Sequence, residues 1–171
     1  MPQTQSQISI QSSHEMDKFK INLDIVMPRM PCDVIGLNVE DSMNNRVSDY
    51  YGELHKHRLD KNGKELSVET WEEKSENRRA VADRVERELK ENQGCRLRGY
   101  VEVLRVPGAF SISHQAFGDI KMHLNMKGIR LDNSFKINEL SFGDKENFNA
   151  IARQFPDAGI MHPLDGFERK L

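Results

Sequence analysis

The sequence predicts a mainly β fold, an antiparallel β-sandwich with one surface α-helix over about residues 72–93. Three observations point there. Apolar and polar residues alternate in several short runs, the period of a half-buried strand. Asn-Gly and Pro-Gly dipeptides punctuate those runs. A single long stretch shows helical spacing amid dense charge.

Residues 1–17 are rich in Gln and Ser with two isolated isoleucines, too little apolar surface to offset the entropy of ordering, and read as a flexible tail. The domain proper is residues 18–171. Phe19, Ile21, Leu23, Ile25 and Met27 alternate with Lys20, Asn22 and Asp24 until Pro28 and Pro31 end the run. Ile35, Leu37 and Val39 repeat the pattern, so a second strand is expected to return antiparallel beside the first. The segment from Val47 to Glu69 reads as a hairpin around Asn62-Gly63, because Asn-Gly reaches the positive φ that tight hairpins require. Val81, Val85 and Leu89 then recur at helical spacing, with Thr70 and Glu73 as a capping box and Gly94 as a stop. The narrow apolar stripe puts this helix on the surface.

Leu97, Val101 and Val103 form the next strand, and the phase shift at Leu104 and Val106 predicts a bulge before Pro107-Gly108 turns the chain. Phe110 and Ile112 open another strand. Ile120, Met122, Leu124 and Met126 alternate like a strand, although the segment also accommodates a short helix at its start. Phe135, Ile137, Leu140 and Phe142 are the buried side of a final strand, and residues 145–155 carry a possible short C-terminal helix.

With 171 residues, 37% apolar and 30% charged, one domain with a modest core is expected. The 25 basic and 27 acidic residues leave a net charge of -2, which offers no general attraction to nucleic acid or to an anionic membrane. No Gly-rich phosphate loop, nucleophile elbow or zinc-protease signature is present, no carboxylate pair stands out, and Asn-x-Ser/Thr does not occur. No catalytic residue and no cofactor are therefore assigned. His55 and His57 share one strand face and could take a metal or titrate near neutrality, but a third ligand is missing, so no metal is assigned. For Cys32 and Cys95, spacing leaves two free thiols and one disulfide equally open. A bridge would close a loop of about 60 residues, worth about 4 kcal/mol by chain entropy.

Four stretches, in order over residues 18–166, resemble the lumenal domain of the ERGIC/Erv family of ER-to-Golgi transport-vesicle proteins. They are "KINLDIVMPRMPCDVIGLNVEDS", "HKHRLDKNG", "GCRLRGYVEVLRVPGAFSIS", and "INELSFGD" with "GIMHPLDG". Ala109 and Ser111 depart from the family pattern, which more often has Asn and His there. The resemblance implies a non-enzymatic β-sandwich in the lumen of the ER, the ER-Golgi intermediate compartment and the cis-Golgi. It implies protein cargo and a related receptor subunit as partners, and membrane attachment only through flanking helices that these residues do not contain, so the domain is expected to be incomplete relative to the family. Oxidising surroundings of that kind tip the two cysteines toward a Cys32–Cys95 disulfide. Tyr50, Tyr51, His55, His57 and the charged helix form the expected partner surface, while Asn62, Gly63, Pro107 and Gly108 are expected to be structural turns. The alternative is an accessory β module of a thiol-disulfide isomerase-like protein, which a neighbouring thioredoxin-like unit would reveal.

Overall fold

The strand β1 (Lys18–Met27) forms where the first alternating run begins, and it becomes an interior strand of a large sheet. The structure, a computed structural model, describes residues 18–41, 51–71, 77–104, 108–113, 118–144 and 168–169. The tail, Tyr50, Pro107 and the expected C-terminal helix lie outside those residues. A one-turn 3-10 helix (Cys32–Val34) follows β1. Then come β2 (Gly36–Asp41), β3 (Tyr51–Leu59), β4 (Glu65–Thr70), α1 (Arg78–Lys90), β5 (Gly94–Leu104), β6 (Gly108–Ser113), α2 (Gly118–Met126), β7 (Phe135–Phe142) and the two-residue β8 (Glu168–Arg169).

All pairing is antiparallel. The large sheet has the order β4-β3-β5-β1-β7-β8, and β2 pairs with β6 in a separate two-stranded sheet. The fold is thus mainly β, as expected, with a second layer reduced to a ribbon and completed by helices. The first two strands do not pair with each other. Between them Met30, Pro31, Cys32, Val34 and Ile35 bury themselves, and the 3-10 turn carries the chain from one sheet to the other.

One face of the large sheet makes the core. Ile21, Leu23 and Ile25 of β1 lie beside Val101, Gly99 and Leu97 of β5, with Leu54 of β3 and Ile137 of β7 flanking them. Ala82 and Val85 of α1, Ile120 and Leu124 of α2, and the ribbon's Leu37, Phe110 and Ile112 pack on this face. Burying one such aliphatic side chain contributes about 1.5–3 kcal/mol. Phe142, expected inside, is 56% exposed at the end of β7.

Helix α1 is shorter than the sequence suggested. Asn77 caps it by accepting from the Arg79 amide at 3.0 Å, whereas Thr70 belongs to β4. Its stop is a Schellman motif: Asn92 takes φ 55° while the Gln93 amide reaches the Glu88 carbonyl and the Asn92 amide reaches Leu89. Gly94, expected as the stop, opens β5 instead. The strand expected at Ile120–Met126 is helix α2, since Ile120 and Leu124 are buried while Met122 and Met126 are exposed, the i, i+4 pattern. Gly128 at φ 72° closes it, with the Ile129 amide on the Leu124 carbonyl. β5 keeps continuous register with β1 from Cys95 to Leu104, and the bulge expected between Leu104 and Pro107-Gly108 lies outside the described residues.

A pinned scaffold and its open sheet face

Strand β3 builds the site because its two faces carry different chemistry. Its even positions, Lys56 and Arg58, point to the core side with Leu54, and its odd positions, His55 and His57, point to the other. On the core side Arg58 sits next to Cys95 in register and reaches three carboxylates from three elements. Its guanidinium donates to Asp33 of the 3-10 turn at 2.8 Å, to Glu69 of β4 at 3.0 Å and to Glu88 of α1. Arg84 of α1 holds the second oxygen of Asp33 at 2.6 Å. Burial pulls the Arg58 pKa down, but the facing charges of Asp33 and Glu88 outweigh it and leave it raised. Glu88 is raised as well: burial is the largest influence and Asp33 adds to it, more than Arg58 and Arg84 offset.

The same corner holds the cysteines. Cys32 and Cys95 form a disulfide with Cα atoms 5.0 Å apart, and both are at most 2% exposed. It ties the 3-10 turn to β5 across 63 positions of sequence. Lys56 completes the corner, donating to the carbonyls of Cys32 and Ile35 at 3.0 Å each while its ammonium lies 4.1 Å over the Trp71 ring. Sequence reasoning found the cysteines but missed this ionic cluster. The available signal was two cations at i, i+2 in a strand followed by a glutamate-bearing strand and a helix that interleaves acidic with basic residues.

Across the opposite face, side chains stand in rows set by register. One row runs Thr70, His55, Arg98, Asp24 and Glu139; the next runs Val68, His57, Arg96, Val26 and Lys136; a third runs Glu53, Tyr100, Asn22 and Ser141. Arg96 grips Asp24 with two hydrogen bonds, and the Asn138 amide adds a third at 3.2 Å. Burial pushes the Asp24 carboxyl up, yet those bonds win and hold it below its ordinary value. Asn22 donates to Ser141 and to the Gly143 carbonyl. Lys20 lies 4.7 Å over the Tyr100 ring. The floor of this face is therefore a satisfied polar network, with Arg98 and Glu53 exposed above it.

Several sequence-selected residues come together here and others do not. His55 and His57 share the face and are half-buried, with His57 Nδ1 2.7 Å from Glu65. No group of three metal-ligating residues occurs among the described residues. Tyr51 opens β3 beside Glu102 in register. Helix α1 lies on the core side, so it and the two histidines are not one surface. Asn62 and Gly63 sit in the β3–β4 turn, where Asp60 accepts from the Asn62 and Lys64 amides, and Gly108 is the first residue of β6. No helix among the described residues is long and apolar enough to cross a membrane.

The fold resembles the crystal structure of Erv41p, with TM-score 0.52 and 23% identity over 94% of this chain and 67% of that one. Residues 1–48 match the family model described as Endoplasmic Reticulum-Golgi Intermediate Compartment (ERGIC). Residues 68–171, more than half the chain, match the model described as endoplasmic reticulum vesicle transporter. The chain belongs to the endoplasmic reticulum vesicle transporter family, whose setting is the early secretory pathway.

Proposed function

We propose that this is a non-enzymatic lumenal domain of an early-secretory cargo receptor, working between the ER, the intermediate compartment and the cis-Golgi. It holds protein cargo and a related receptor subunit against the open face of its large sheet. The observation that carries this reading is the row structure of that face. Imidazole, guanidinium, phenol and carboxylate groups are displayed side by side on β3 and β5, above a floor whose polar groups already satisfy one another. Such a face offers varied hydrogen-bonding and aromatic contacts without needing to fold on binding, which suits reversible protein recognition. Family membership supplies the setting.

The test is affinity capture from ER and Golgi lumenal extract with the wild-type chain and with a His55→Ala/Arg98→Ala/Tyr100→Ala variant. Enrichment of lumenal proteins or a related subunit, lost in the variant, is the expected result. Capture of neither by wild type, or equal capture by both, would overturn the assignment of this face.

A further inference from the structure

Sheet edges are where strands invite other strands, and folded proteins blunt them with charge, proline, bulges or brevity. Three of the described edge strands carry such devices. β4 has a register shift opposite Arg58/Leu59 and the acidic Glu65 and Glu69; β8 is two residues long and fully charged; β2 ends in Glu40-Asp41. The fourth does not. β6 reads Gly-Ala-Phe-Ser-Ile-Ser, without charge or proline, and its register with β2 is unbroken from Gly108 to Ser113. Gly108, Ala109 and Ser111 are exposed, and β6 has β2 as its sole strand neighbour among the described residues. A two-stranded sheet is itself marginal and gains from a third strand.

We propose that β6 is a dimerisation strand, pairing antiparallel with β6 of a second copy to turn two ribbons into one four-stranded sheet, β2-β6-β6-β2. A second copy fits because the strand is self-complementary. With the two-fold axis at Ser111, Phe110 of each copy stands opposite Ile112 of the other, and Ser111 stands opposite itself. Phe110 and Ile112 are the ribbon's core-facing residues and are only partly buried in the single chain, so the pairing extends the apolar layer across the axis. Shifting the axis to Phe110 would oppose two phenylalanines and set Ile112 against Gly108, a poorer fill. No like charges meet in the Ser111 register, whereas self-pairing of β4 about Ser67 would oppose Glu65 to Glu69. The contact is small for a protein interface, so the dimer is a weak, concentration-dependent one.

The experiment is sedimentation velocity of the 171-residue chain over a concentration series, with Ser111→Lys as the edge variant. Ser111 is exposed and its side chain points away from the core, so circular dichroism should be unchanged, while two lysines would now face each other across the axis. A monomer-dimer equilibrium weakened at least about tenfold by Ser111→Lys is expected, about 1.4 kcal/mol. Oxidative cross-linking checks the register. Ser111→Cys should form a disulfide-linked dimer, since facing residues of adjacent strands lie about 4.5–5.5 Å apart, and Ala109→Cys should not. A monomer at every concentration, a dimer indifferent to Ser111→Lys, or cross-linking at Ala109 in place of Ser111 would overturn the proposal.

Discussion

Replacing Arg58 by Met removes the cation that, among the described residues, the 3-10 turn, β4 and α1 share. The three carboxylates it leaves are not equally stranded. Asp33 keeps Arg84 at 2.6 Å, and the Glu69 side chain, 29% exposed, can hydrate. Glu88 loses its guanidinium hydrogen bond, keeps only the Coulombic pull of Arg84 and Arg87, and has a side chain just 8% exposed. Losing one partner of a buried pair costs about 3–5 kcal/mol. Glu88 can limit that cost by taking a proton. From an ordinary pKa of 4.5, protonation at pH 7 costs about 3.4 kcal/mol, 2.5 pKa units at 1.36 kcal/mol each, and at pH 5 only about 0.7 kcal/mol. The folded pKa of Glu88 is already raised, so its favourable contribution exists below 4.5 and is lost as pH rises through the folded value. Removing Arg58 raises that value further and widens the window. The variant should therefore lose about 3 kcal/mol relative to wild type at pH 7 and less than half of that at pH 5. Urea unfolding followed by the single tryptophan, Trp71, reads both numbers. Adding Glu88→Leu should recover much of the loss, a coupling of about 2 kcal/mol. A loss below about 1 kcal/mol, or one that does not change with pH, would refute the role given to the cluster.

Three further outcomes follow from the same geometry. Cys32→Ser/Cys95→Ser frees a loop of 63 positions and should lower stability by about 4 kcal/mol in the same urea assay; an unchanged midpoint would deny the bridge a structural role. Gly99→Ala should cost well over about 1 kcal/mol, because Gly99 has φ 139° and an added Cβ would overlap the Glu53 carbonyl of β3. Gly128→Ala, also left-handed but in open space, should cost only about 1–2 kcal/mol, and thermal melts of the two variants would separate crowding from backbone preference. Asp24 has a lowered folded pKa, so it stabilises above 3.8 and that contribution fades as pH falls through the lower folded value. Asp24→Asn should be less stable than wild type at neutral pH, with the gap closing in acid, as read by unfolding at several pH values.

The sequence declared its strands better than their partners. Alternation in β1, β3 and β5 marks which residues share a face, and that depends only on neighbours along the chain. Pairing depends on where the intervening segments go, and nothing in Ile35, Leu37 and Val39 says that the buried Met30–Ile35 corner carries them into a second sheet. Helix α2 shows the limit of period reading. Apolar residues at 120, 122, 124 and 126 fit a two-residue period, and the burial of Ile120 and Leu124 alone fits a helix. The deciding signal was the Gly128 stop, which closes a Schellman motif and has no such role after a strand.

The candidate site was half legible for a related reason. Neither face of "HKHRL" is wholly apolar, so the strand itself does not say which pair, the histidines or the Lys-Arg cations, is inside. That choice is made by β5, whose Cys95 and Leu97 stand beside Arg58 and Lys56 and put them under the helices, while Arg96 and Arg98 stand beside His57 and His55 and put them, half-buried, on the polar face. The two faces then carry separate duties. Changes at Lys56 or Arg58 act on the corner that pins β5, the 3-10 turn and α1 together, and should move stability at every step of recognition. Changes at His55 or Arg98 meet a face with no core behind their side chains, so they should alter binding while the unfolding midpoint stays put. Separability of those two effects, measured on the same variants, is what a rigid scaffold with a polar recognition face requires.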